Sequence, residues 1–140
     1  PAALWQRDGE ISLIDADGHI LDTADVRDYR HLPLLAGQGA ATRTRELFAI
    51  LAEAPLIAEQ MVAAAWIADR RWDLTLESEV ILRLPENQPA AALDRLLRVH
   101  NDHDLLNQDI LTIDLRVDDR LVVETPSPDV AELIDPQQSL

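Results

Sequence analysis

Hydrophobic positions along the chain switch between two periods. Trp72, Leu74 and Leu76 alternate with Asp73, Thr75 and Glu77, and after a turn near Ser78 the alternation resumes at Val80, Leu82 and Leu84. A period of two marks a half-buried strand, so these runs predict a hairpin. Farther on, Leu111, Ile113, Leu115 and Val117 alternate with Thr112, Asp114, Arg116 and Asp118. The Asp118-Asp119 pair then turns the chain into a final strand, Arg120 to Glu124. From Leu4 to Asp22, the dipeptides Asp8-Gly9 and Asp17-Gly18 frame a meander of short strands, because Gly accepts positive φ and Asp bonds its own backbone. A further strand is expected from Val62 onward.

Elsewhere the period lengthens. Leu47, Ile50, Leu51 and Ala54 share one helical face behind Thr42 as the expected cap. Pro55 interrupts that helix, with a short continuation through Ile57 and Met61. Pro89 suits a first helical turn, where its missing N–H is spared. The helix after it would bury Leu93, Leu96, Leu97 and His100 and turn Asp94, Arg95, Arg98 and Asp102 to water. From Pro126 the chain is acidic and proline-punctuated, so residues 126–140 are expected to form a frayed tail with one helical turn around Val130 to Ile134. The fold class expected is α+β: an antiparallel sheet of hairpins carrying two main helices, over residues 1–125.

Composition removes several classes of partner. Asp and Glu number 26 against 12 basic residues, a net charge of −14. A field of that sign repels nucleic-acid phosphates and anionic lipid surfaces. Every basic residue is Arg. Its rigid fork suits carboxylates, although a coding bias accounts for the missing Lys equally well. The chain has no Cys, which excludes disulfides, thiolate catalysis and Cys-based zinc sites. Its 140 residues fit one domain with a real core, and no apolar run reaches the roughly 18 residues of a membrane span. It opens at Pro1 without a targeting signal and reads as an excised part of something longer.

Candidate chemistry is thin. Asp15-Ala16-Asp17-Gly18 resembles the opening of a calcium loop, but the twelfth position, where a bidentate acid belongs, is Val26. A hairpin turn is the better reading. His100-x-x-His103 with Asp104 could hold a metal. However, His100 falls on the apolar face and no zincin Glu follows, which favours a core His100 and a solvated His103. No nucleophile elbow, phosphate loop or dinucleotide motif is present. The expectation is no enzyme, no cofactor and no metal. Two alternatives stay open: an acidic metal-dependent hydrolase using His100, His103 and Asp104, and an unrelated peptide-binding module.

One ordered set of motifs carries more information. Arg70-Arg71-Trp72 begins a strand, Leu84-Pro85 ends the next, Leu93-Asp94-Arg95-Leu96 lies in a helix, and Ile113-Asp114-Leu115-Arg116 precedes the final strand. With Leu32-Pro33-Leu34-Leu35-Ala36-Gly37-Gln38-Gly39-Ala40, these resemble, in order from about Ala3 to Val123, the β domain of the FtsQ/DivIB family of bacterial cell-division proteins. The resemblance implies a non-catalytic divisome scaffold. It would lie at the periplasmic face of the inner membrane, held by an anchor outside this chain, and would bind the FtsB–FtsL complex.

The implied mode is strand addition at the last strand of the domain. Carried over, the partner surface is Arg71 (or its neighbour Arg70), Arg116, Val117, Asp118, Asp119, Arg120, Leu121, Val122, Val123 and Glu124. An arginine beside the tryptophan would meet an acidic partner residue. Well-known members carry aromatics where this chain has Val117 and Thr125, which leaves the distribution of interface anchors open. The residues themselves add that Arg116 should be exposed, opposite Ile113 and Leu115. They also leave two readings of Leu121-Val122-Val123: an edge that templates another strand, or an edge protected by the tail folded over it.

Overall fold

The structure, a computed structural model, describes residues 1–22, 25–126 and 130–134. The strands are β1 (Ala3–Arg7), β2 (Glu10–Ile14), β3 (Leu34–Ala36), β4 (Met61–Ile67), β5 (Arg71–Leu76), β6 (Ile81–Arg83), β7 (Thr112–Asp114), β8 (Arg120–Glu124) and β9 (Val130–Ile134). The helices are α1 (Thr44–Ala52), α2 (Pro55–Gln60) and α3 (Pro89–His103). Among the described residues the strands form one sheet in the order β2-β1-β3-β4-β5-β6-β7-β8-β9. The fold class is α+β, as the patterning predicts.

The sheet is mixed rather than wholly antiparallel, which corrects the expectation of hairpins alone. β3 runs parallel to both β1 and β4, and β6 runs parallel to β7. The reason lies in the connections. Antiparallel neighbours need only a tight turn, whereas parallel neighbours need a crossover of a dozen or more residues, usually helical. The chain from β3 to β4 carries α1 and α2, and that from β6 to β7 carries α3. Elsewhere tight connections give β1–β2, β4–β5, β5–β6, β7–β8 and β8–β9 antiparallel.

The helices bear out most of the pattern. Leu47, Ile50, Leu51, Ala54 and Ile57 are all buried, and Pro55 opens α2. Thr42 is not the cap. It sits in a short 3-10 turn before α1, its hydroxyl donating to the Gly39 carbonyl, while the Thr44 hydroxyl donates to Ala40. In α3 the buried face is Ala92, Leu93, Arg95, Leu96 and Val99, so Arg95 turns inward, not to water. Leu111 and Val117 lie exposed beyond the ends of β7, whose strand character spans three residues.

Of the expected C-terminal tail, residues 127–129 and 135–140 lie outside the described residues, and only the helical turn expected around Val130 to Ile134 is corrected. Val130–Ile134 forms no helical turn; it is β9, paired with β8 along its length. Val130, Leu133 and Ile134 supply β propensity, and an unpaired neighbour strand supplies the ladder. A five-residue helix with no partner could not compete, because nucleating a helix is costly.

Two glycines at turns test the local geometry. Gly9 has φ +81° with open space where a Cβ would stand, while Gly18 has φ +87° and would place a Cβ 1.9 Å from the Ala41 carbonyl oxygen. Gly9→Ala should therefore cost only the left-handed penalty, about 1 kcal/mol. Gly18→Ala adds a backbone clash and should cost roughly 3 kcal/mol or more. Thermal melts of the two variants side by side check the difference.

Candidate partner-binding surface

Strand register decides which charged groups meet. Asp73 pairs with Arg83, and Arg83 with Asp114, so three strands present one alternating row on the face away from the helices. Arg71 and Arg116 flank it. Arg116 grips Asp114 bidentately, Nε to Oδ1 at 2.9 Å and Nη2 to Oδ2 at 2.6 Å, and its backbone N–H donates to Oδ1 at 3.0 Å. Arg71 Nε stands 3.7 Å from Asp73 Oδ1, an ion pair too long for a hydrogen bond. Arg71 Nε, Asp73 Oδ1 and Arg83 Nε are buried without a hydrogen-bond partner.

This row has two electrostatic ends. Burial pushes the Asp73 carboxyl above its ordinary value, against the pull of Arg71, Arg83 and Arg116. Burial acts the same way on Asp114, but the hydrogen bonds and charge of Arg116, helped by Arg83, hold it below.

A cleft of about 410 Å³ opens beside the row, lined by Arg70, Arg71, Pro85, Glu86, Asn87, Arg116 and Asp118. The two arginine segments, far apart in sequence, thus meet at one place. Val117 follows Arg116 as an exposed apolar side chain. Asp118 is exposed, and Asp119 is tied to Arg120 by an ion pair of 3.0 Å.

The rest of the carried-over set divides. Leu121 and Val123 are buried at 0% and 4% exposure, Val122 is half-buried, and Glu124 is exposed. Leu121 and Val123 therefore have only main chain to offer a partner. Their main-chain direction follows from β7. The Ile81 N–H donates to Leu111, and the Leu115 N–H donates to Arg83, so alternation turns Thr112 and Asp114 toward β8. Their register partners Glu124 and Val122 face β7, and Leu121 and Val123 face outward. That outward side is where β9 lies.

Arg95 is a residue that sequence reasoning missed. Its Nη2 reaches the carbonyls of Leu115 and Val117 at 3.4 and 3.5 Å from inside the core, so α3 supports the segment that carries Arg116. The signal was its spacing: Arg95 stands three residues after Ala92 and four before Val99, on the face that both bury.

The metal alternatives find no support. The His100 ring Nδ1 accepts the Leu106 N–H at 3.1 Å and closes the helix end, while His103 is exposed. Asp104 caps α3 in the left-handed region, and its side chain accepts from Asn107. Among the described residues the group whose ligand atoms lie within 4.8 Å of one another is Asp15, Asp17 and His19. That group is a turn: Asp15 Oδ1 accepts the N–H of Asp17 and of His19, and Arg45 bonds Asp17 Oδ1 at 2.7 Å.

The row's opposed shifts have opposite signs in stability. The depressed Asp114 contributes stability that is present above its unfolded value of 3.8 and lost as pH falls through the lower folded value. The raised Asp73 takes up a proton on folding at pH between 3.8 and its higher folded value, so its ionisation detracts from stability as pH rises through that window. Carboxyl NMR titration should place the Asp73 midpoint above 3.8 and that of Asp114 below it. Asp114→Asn should cost about 1 kcal/mol at neutral pH, the low end for a charge-assisted bond because Arg116 is partly exposed.

Comparison with known proteins places this arrangement in a family. The profile described as "Cell division protein FtsQ/DivIB, C-terminal" matches residues 3–116. A cell division protein FtsQ of Bradyrhizobium diazoefficiens is 39% identical over 122 residues, 87% of this chain and 36% of that protein. Those of Zymomonas mobilis and Cereibacter sphaeroides are 37% and 35% identical, over 92% and 88% of this chain and 41% and 40% of theirs. The chain spans about two-fifths of the length of these relatives. Among the described residues no helix is long and apolar enough to cross a membrane. The chain belongs to the FtsQ/DivIB family of cell division proteins, whose C-terminal part it matches.

Proposed function

We propose that this domain is a divisome docking module on the periplasmic side of the inner membrane, in a protein anchored by a segment outside this chain. It takes an extended segment of the FtsB–FtsL complex by strand addition along β8 and receives an acidic side chain of that segment in the arginine cleft. The observation that carries the reading is the convergence of Arg70, Arg71 and Arg116 at one cleft beside β7 and β8, in a chain of net charge −14.

Four physical features support it. Arginine forks suit carboxylates, and clustering them in an acidic protein makes a local attractor for an acidic segment. Arg71 and Asp73 are mostly buried, with side chains 19% and 20% exposed, so Asp73 holds the Arg71 guanidinium in place beside the cleft that a partner carboxylate would enter. The exposed Val117 beside Arg116 offers a small apolar anchor where aromatics would otherwise sit. The outward N–H and C=O groups of Leu121 and Val123 set the register of an added strand.

Charge reversal tests the reading by calorimetry with a synthetic peptide of the cognate FtsB tail. Arg71→Glu and Arg116→Glu should each weaken binding by about 2–5 kcal/mol, as expected where a desolvated charge pair loses one member. Arg27→Glu, which replaces an exposed arginine paired with Asp25, should change binding by well under about 1 kcal/mol. Binding indifferent to both cleft substitutions, in variants that melt normally, would remove the cleft from the interface.

A further inference from the structure

The sheet does not end at β8. β9 lies antiparallel along it, with Leu133 opposite Leu121 and Ala131 opposite Val123, and closes the sheet order. The backbone edge assigned above to a partner strand is therefore taken by the chain's own C-terminal segment. We infer that β9 is a tethered, exchangeable occupant of this edge, an internal competitor that the partner strand displaces. The inference rests on the reading of β8 as the docking edge.

Three observations favour exchange of β9 over opening of β8. First, β8 is held from two sides and from below: β7 and β9 flank it, and Leu121 and Val123 are sunk in the core. Among the described residues β9 has β8 as its one neighbour in the sheet. Terminal elements with a single neighbour belong to the low-stability end of a fold, where local opening is cheapest.

Second, the ladder that β9 makes is short, five register pairs from Arg120–Ile134 to Glu124–Val130. A short terminal ladder is the cheaper one to exchange. Third, the tail has the chemistry expected of the partner. β9 is extended, and the sequence around it is acidic, with Asp129, Glu132 and Asp135 in seven residues. Register sets Glu132 opposite Val122, at the end of the row that runs through Asp114, Arg83 and Asp73.

A tethered competitor works by effective concentration, which reaches millimolar for short connections. A partner then sees only the fraction of molecules whose edge is open, and its apparent affinity falls by that fraction. Binding becomes a swap of ladders rather than the capture of a bare edge. The same strand keeps the edge covered when no partner is present.

The test compares binding of the cognate FtsB tail peptide by the full chain and three variants, each first checked by thermal melting. Deleting residues 126–140 should tighten binding about tenfold or more. Should that deletion impair folding, Ala131→Pro with Leu133→Pro in the full chain removes the donors of β9 opposite Leu121 and Val123 and leaves β8 untouched. It should tighten binding likewise. In the opposite direction, Val122→Cys with Glu132→Cys links a facing pair whose backbones do not bond each other, a close spacing that suits a disulfide. The chain has no other Cys, so the bridge is unambiguous. Oxidised, this variant should lose peptide binding, and reduction should restore it.

Deletion that weakens binding would overturn the inference, because β9 would then be the docking edge itself. Equal binding by the full chain and every variant, oxidised or reduced, would also overturn it while leaving the cleft in play. A folded deletion variant and a full chain that both fail to bind would instead sink the reading of β8, and this inference with it.

Discussion

One cross-strand row of apolar side chains holds the molecule together. Trp5, Leu35, Ala64, Leu74, Leu82, Ile113 and Val123 are successive register partners across seven strands, and all are buried. Side chains in register point to one face of a sheet, so the row forms a continuous apolar band that must be covered. Leu47, Ile50, Leu51 and Ile57 of the first crossover, and Leu93, Leu96 and Val99 of the second, supply the cover. A slip of one residue in any strand would turn that strand's contribution to water, which is why the register is firmly set.

The same constraint makes the opposite face. Because the period is two, fixing the apolar row also fixes its neighbour: Ala65, Asp73, Arg83, Asp114 and Val122. The charges there alternate in sign along the row, and the flanking Arg71 and Arg116 extend it toward the cleft. Such pairs add little net stability at a surface, but they hold long side chains in fixed positions. Orientation matters more here than energy, since a preorganised guanidinium loses less freedom on meeting a carboxylate. Arg95 works from the other side of the sheet, bonding the carbonyls of Leu115 and Val117 around Arg116.

An edge that takes a partner strand, as proposed for β8, faces a conflict. The open N–H and C=O groups that recognise one partner also invite any extended chain, including another copy. Covering the edge with a short strand from the same polypeptide answers this conflict without removing the edge. The mixed topology helps, because the parallel β6–β7 pairing needs the α3 crossover, and that crossover anchors the β7–β8 end of the sheet from beneath.

The sequence alone determined the elements and the inward faces of most of them. Periods of two and near four follow from backbone geometry, so Leu74, Leu82 and Ile113, or Leu47 and Ile50, declare their direction without any neighbour. Arg116 likewise had to point away from Ile113 and Leu115. The ordered motifs carried the family, and with it the partner surface proposed above. Tertiary structure decided what depends on contact across long separations. Whether neighbouring strands run parallel depends on where crossovers deposit the chain, which no local period records. Arg95 reads as a solvent residue until two carbonyls of the β7–β8 connection stand within its reach. Arg70, Arg71 and Arg116 become one cleft only when β5 and β7 share a sheet with β6 between them. Val130–Ile134 reads as tail until β8 offers an open ladder, because a strand, unlike a helix, finds its hydrogen-bond partners on another segment.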